Sequence, residues 1–151
     1  MRGTMDAVVE RIRERLSEEG HRYTGPRDAV IRALVAAAGP VNADALADEV
    51  RRQRVDRSSV YRTLGLLVEL GLARRVEFAE GAARYELAEP LIDHHHHLVC
   101  TRCGRIDELP GCDLASIHRL VARRSGYAIA AHRLDFFGTC PACRRKGGRG
   151  G

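Results

Sequence analysis

The sequence predicts an α+β protein: an N-terminal winged helix-turn-helix domain followed by a C-terminal α/β dimerisation domain. Three observations lead there. Apolar residues recur at three- and four-residue spacing in a series of capped segments up to residue 70. A period-two alternation around a glycine turn follows at 73–87. Beyond Pro90, short strand patterns and one helical pattern lie between two Cys-x-x-Cys pairs.

The first helix is expected over 6–19, where Val9, Ile12 and Leu16 make one stripe and Gly20 ends it. Thr24 ahead of Pro26 reads as a cap with a first-turn proline for a helix running to 38, which Gly39-Pro40 stops. Asn42 caps a third helix over 43–52, and Asp56 a fourth over 57–70, closed by Gly71. Arms at 73–78 and 83–87 flank a turn at Glu80-Gly81. This order of helices and hairpin is that of a winged helix-turn-helix with an additional N-terminal helix. The first domain is therefore placed at 1–87 and a hinge at 88–93. The second domain, 94–143, is read as a strand through 98–99, a strand over 105–109, a helix over 113–124 and a strand or strand pair over 127–137. Its apolar sheet edge suits pairing with a second copy of the chain, and a two-fold dimer sets two recognition helices about 34 Å apart on DNA.

The fourth helix has two faces. Val60, Leu64, Leu67 and Leu70 are spaced for burial. Arg57, Ser58, Ser59, Tyr61 and Arg62 crowd its N-terminal end, from which a recognition helix meets base edges and phosphates. Net charge adds little to this. The chain carries +5, but Arg144, Arg145, Lys146 and Arg149 supply four of those charges in a glycine-rich stretch, 144–151, expected to be a disordered tail. The local cluster, and not the net charge, is what points to DNA.

The pairs Cys100/Cys103 and Cys140/Cys143 have the spacing of two zinc knuckles, each turn offering two sulfurs to a closed tetrahedral site. Buried thiols or redox pairs are the alternative. Cys112 is left over, as a small buried residue, a soft ligand or a redox-reactive thiol. Four consecutive histidines occupy 94–97. On a strand, His95 and His97 share one face while His94 and His96 share the other, so one strand can serve two metal sites. The cysteine usage fits a reducing compartment, and no apolar run approaches the ~20 residues that span a membrane. The N-terminus lacks the apolar segment of a secretory signal, so a cytoplasmic protein is expected. Neither HExxH nor GxSxG occurs, which leaves a zinc-dependent hydrolase as the rival class without a motif.

In order, YTGPR, NADAL, SSVYRTLGLLVELGL, RYEL, HHHHLVCTRCGRIDEL and HRLDFFGTCPAC together resemble the ferric uptake regulator family of bacterial metal-dependent transcription factors. The resemblance covers roughly residues 11–143. It implies a homodimeric repressor that binds a pseudo-palindromic double-stranded DNA operator when loaded with metal. It assigns structural Zn(2+) to Cys100, Cys103, Cys140 and Cys143, and adds Arg27 to the DNA-contacting residues. A regulatory divalent cation falls to Glu86, His95 and His97, with Glu108 as a further carboxylate. Iron(II) is the first choice; manganese(II), nickel(II) and zinc(II) are compatible with the same ligands. An additional site falls to His94, His96 and His132.

Three departures from the family's patterns matter. Many members place a histidine ligand where this chain has Pro40, and His21 is a candidate substitute. The acidic partner of the additional site would fall near Ala115, which cannot ligate, and Asp113 or His118 is a candidate to take over. Ala88 stands where zinc-specialised members often have cysteine. A peroxide-sensing, iron-dependent repressor of the same family is a further expectation.

Overall fold

The computed structural model describes residues 2–37, 39–78, 83–88, 91–92, 94–111 and 114–147. The chain divides into two compact units, Met1–Ile92 and Asp93–Gly151.

In the first unit, α1 (Arg2–Glu18) buries Val9, Ile12 and Leu16. Gly20, at φ +75°, closes it: the Gly20 and His21 N–H groups donate back to Ser17 and Leu16, satisfying carbonyls at the helix end. The second helix, α2 (Gly25–Ala36), is capped by Thr24, whose hydroxyl accepts the Arg27 N–H. Asn42 caps α3 (Ala43–Val50) by accepting the Ala45 N–H at 2.6 Å. A short 3-10 turn, Arg51–Gln53, follows, and Arg54 lies at φ +59°. The expected extension of α3 to Arg52 is thus tightened into that turn. Asp56 caps α4 (Arg57–Glu69), accepting the Ser59 N–H at 2.9 Å. Gly71, at φ +68°, ends α4 by the same backbone exchange that closes α1.

A three-stranded antiparallel sheet, β1 (Val41–Asn42), β2 (Ala73–Glu77) and β3 (Ala83–Leu87), has the order β1-β3-β2. The two-residue β1 was not expected, because two residues carry no period. It forms through Val41↔Tyr85 and Asn42↔Arg84. The Glu80-Gly81 turn lies outside the described residues. Ile12, Leu16, Val30, Ile31, Leu46, Val50, Val60, Leu64 and Leu67 form the core between the helices. Each large side chain buried there contributes about 1.5–3 kcal/mol.

In the second unit, β4 (His95–Cys100) lies between β5 (Ile106–Pro110), antiparallel to it, and β6 (Asp135–Gly138), parallel to it. The fifth helix, α5 (Ala115–Ser125), ends at Gly126, φ +75°. The strand expected over 127–137 is confined to its last residues. A parallel partner for β4 needs a crossover, so α5 and the irregular 126–134 segment take the chain out and back before β6 enters the sheet. The expected disordered tail is corrected at 144–147 only. Arg144, Arg145 and Lys146 lie in α6 (Pro141–Gly147), and 148–151 fall outside the described residues. Cys112 and Asp113 do so too, as do Glu89, Pro90 and Asp93 of the expected hinge. Among the described residues, no helix is long and apolar enough to cross a membrane.

Candidate metal centres and nucleic-acid surface

The parallel pairing of β4 with β6 brings the two cysteine knuckles to one end of the sheet. Cys100 ends β4 opposite Gly138, two residues before Cys140. Ligand sulfurs of Cys100, Cys103, Cys140 and Cys143 all lie within 4.8 Å of one another, and Cys103 Sγ is 3.8 Å from Cys140 Sγ. A tetrahedron with 2.3 Å bonds to zinc has edges of about 3.8 Å. Backbone N–H groups support the sulfurs: Cys140 N donates to Cys100 Sγ at 3.3 Å and Cys143 N to Cys140 Sγ at 3.5 Å. The first of these holds the Cys100 thiol low, at about 6. Cys143 is pushed up to about 12, above all by its hydrogen bond with Cys103. Four thiolates this close repel one another, and a divalent cation is the group that reverses the repulsion. The donor set fits zinc.

Along β4 the imidazoles pair by face. The His95 and His97 ring centroids are 5.0 Å apart, and those of His94 and His96 are 4.9 Å apart. On the first face, His97 Nδ1 is 3.0 Å from Asp135 Oδ1, across the register pair His97↔Asp135. A carboxylate that accepts the Nδ1–H there would direct Nε2 toward any bound cation. Glu108 lies opposite His97 on β5, with its Oε1 4.0 Å from His95 Nε2. In the first unit, Glu86 is buried on β3 and paired with Arg74 at 2.5 Å.

On the other face, His94 Nε2 lies 3.0 Å from His132 Nε2, and ligand nitrogens of His94, His96 and His132 all fall within 4.8 Å. His96 Nε2 is buried without a hydrogen-bond partner. Burial, then the neighbouring imidazoles, lowers the pKa of His96 and favours its neutral, metal-binding form. His118 Nε2 is 2.7 Å from His132 Nδ1, so it orients the His132 ring from behind. Three imidazoles converging on one point, one of them unsatisfied, fit a borderline cation.

The exposed end of α4 presents Arg57, Ser58, Tyr61 and Arg62. Ser59 is engaged locally: its hydroxyl donates to Asp56 at 2.7 Å and accepts from Arg62 at 3.0 Å. Arg57 and Tyr61 both reach Asp44. Arg27 donates to the Arg22 carbonyl.

The model of the ferric uptake regulator family matches residues 18–137. The chain belongs to the ferric uptake regulator family. It is 32% identical over 146 residues to the ferric uptake regulation protein of Bacillus subtilis, covering 94% of this chain and 98% of that one. The ferric uptake regulator of Helicobacter pylori, whose structure is described as revealing three functional metal-binding sites, superposes with a TM-score of 0.79 at 23% identity over 93% of each chain. A zinc-bound manganese uptake regulator superposes with a TM-score of 0.68 at 28% identity, over 85% of this chain and 97% of that one.

The molecule is therefore a metal-responsive transcription regulator of the Fur family and not an enzyme. Within that frame, one residue was missed from sequence and one was given a different part. Asp135 lies in the quoted HRLDFFGTCPAC stretch but was given no role, since it meets His97 only through a parallel register. His118 was expected as a replacement ligand, but its contact is with the back of His132. Pro40, just before β1, offers no metal-ligating side chain.

Proposed function

We propose that this Fur-family chain is a cytoplasmic, homodimeric repressor that binds a pseudo-palindromic operator when a regulatory cation is loaded. The structural zinc belongs to Cys100, Cys103, Cys140 and Cys143. It supports folding of the second unit, with a contribution of about 10–16 kcal/mol in small zinc modules. The regulatory cation, with iron(II) as first choice, is held by Glu86 from one unit and by His95 and His97 from the other, with Glu108 as a further ligand. Such a cation links the two units and favours the arrangement that presents α4 to DNA. A coupling of about 1–3 kcal/mol changes operator affinity roughly 5–150-fold.

The observation that carries this reading is the two-faced β4, with its His97 ring held by Asp135. The opposite face, His94, His96 and His132, forms the additional site. Its all-nitrogen donor set favours zinc(II) or nickel(II) over manganese(II). Arg27, Arg57, Ser58, Ser59, Tyr61 and Arg62 contact the operator.

Dimerisation is supported by an apolar surface on the second unit. Among the described residues α5 buries none of its side chains, and Ile117, Leu120 and Val121 are exposed together with Phe136 and Phe137 of the edge strand β6. A second copy of the chain covers such a surface.

The test is anaerobic titration of the zinc-loaded protein with iron(II), manganese(II), nickel(II) and zinc(II), reading binding to DNA from its own promoter region. One metal should tighten binding many-fold. Affinity unchanged by every metal would overturn the switch.

A further inference from the structure

Asp44 stands in the first turn of α3, outside every residue so far given a role. Its Oδ1 accepts the Tyr61 hydroxyl at 3.0 Å and lies 3.0 Å from Nη2 of Arg57. Arg57 and Tyr61 are one helical turn apart on the exposed end of α4. One carboxylate thus holds two of the groups proposed to meet DNA. The exposed pair itself adds little to stability, and a carboxylate in the first turn of α3 favours that helix, but neither role requires it to reach two groups of α4. The hydrogen bond to Asp44 also raises the Tyr61 hydroxyl above its ordinary range, which keeps it a donor.

Resting on the DNA-binding reading above, we propose that Asp44 is a specificity-determining residue that disfavours generic DNA. On any duplex, a phosphate reaching Arg57 must displace the Asp44 carboxylate, and that carboxylate is itself repelled by the backbone. At the cognate site the cost is offset. A carboxylate beside a recognition helix can accept from the exocyclic amine of cytosine in the major groove, while Tyr61 stays aligned. The penalty therefore falls chiefly on non-specific complexes, whose affinity is almost wholly electrostatic.

The experiment uses the full, zinc-loaded, metal-saturated protein. One probe is the duplex that the wild type selects from a random-sequence pool; the other is a scrambled duplex of the same composition. Both are titrated across a salt series. Asp44→Asn keeps an acceptor for Tyr61 and removes the charge; Asp44→Ala removes both. Glu49→Gln removes the same charge from the same helix, at a position lining a groove with Met5, Asp6 and Gln53. Both Asp44 variants should bind the scrambled duplex about three- to tenfold more tightly, with a salt slope steeper by about 0.9 as one more phosphate contact is gained. The ratio of selected to scrambled affinity should fall about threefold or more, and Glu49→Gln should leave it unchanged. An unchanged ratio in the Asp44 variants, or an equal fall in Glu49→Gln, overturns the inference alone. Failure of the wild type to enrich any sequence overturns the DNA-binding reading and this inference with it.

Discussion

Asp135 Oδ1 sits 3.0 Å from His97 Nδ1, joining β6 to the central strand β4 through a carboxylate–imidazole pair. The pair fixes which His97 nitrogen faces a cation. Asp135→Ala should weaken regulatory-metal binding about 10–100-fold. Isothermal titration of the zinc-loaded protein checks this, with unchanged zinc content showing that the fold survives.

His118 plays the corresponding part on the opposite face, against His132 Nδ1 at 2.7 Å. His118→Ala should lower metal affinity at the site of His94, His96 and His132 by about 10–100-fold, while the response at His95 and His97 persists. Metal stoichiometry after dialysis against a weak chelator separates the two. Equal loss at both sites would contradict the separation of the faces.

These partners show where sequence reading stopped. Thr24, Asn42 and Asp56 were legible as caps because capping is decided within four residues. The cysteine pairs were legible because each knuckle is local. Asp135 was not, since only the parallel register of β6 brings it to His97. The alternation in 127–137 suggested a long strand, but a crossover consumes most of it, a constraint that lies in sheet order and not in periodicity. Arg144, Arg145 and Lys146 read as tail because their composition is basic and glycine-flanked, whereas in the fold they continue the helix that follows Cys140.

Removing one ligand of the thiolate site should remove the zinc. Cys103→Ser is expected to lose the bound zinc and to unfold the second unit, since metal binding is folding free energy in such modules. Atomic-emission analysis and thermal unfolding of wild type and variant test it. Zinc should also be lost as the solution is acidified, because protons compete for the thiolates.

The Asp56 carboxylate is held below its ordinary range, first by the Ser59 hydroxyl and then by the Ser59 N–H. A depressed folded-state value stabilises the fold above the unfolded carboxylate value and is lost as pH falls through the folded one. Asp56→Ala should therefore lower Tm near neutral pH. The gap from wild type should close below about pH 4. A gap independent of pH would mean that the ionised cap is not the cause.

The exposed edge strand gives a test of assembly. Phe137 is 52% exposed in the single chain. Phe137→Glu should shift the protein from dimer toward monomer in sedimentation velocity with little change in zinc content. Operator affinity should fall with it, because two recognition helices are needed for a two-fold site.

In the proposed switch, a cation on the His95–His97 face controls DNA binding. This is tested most directly by measuring operator affinity with and without iron(II), anaerobically, for zinc-loaded wild type and His97→Ala side by side. Iron(II) should tighten the wild type by roughly 5–150-fold and leave His97→Ala unchanged, both retaining zinc. Equal tightening of the two proteins, or none in the wild type, would contradict it.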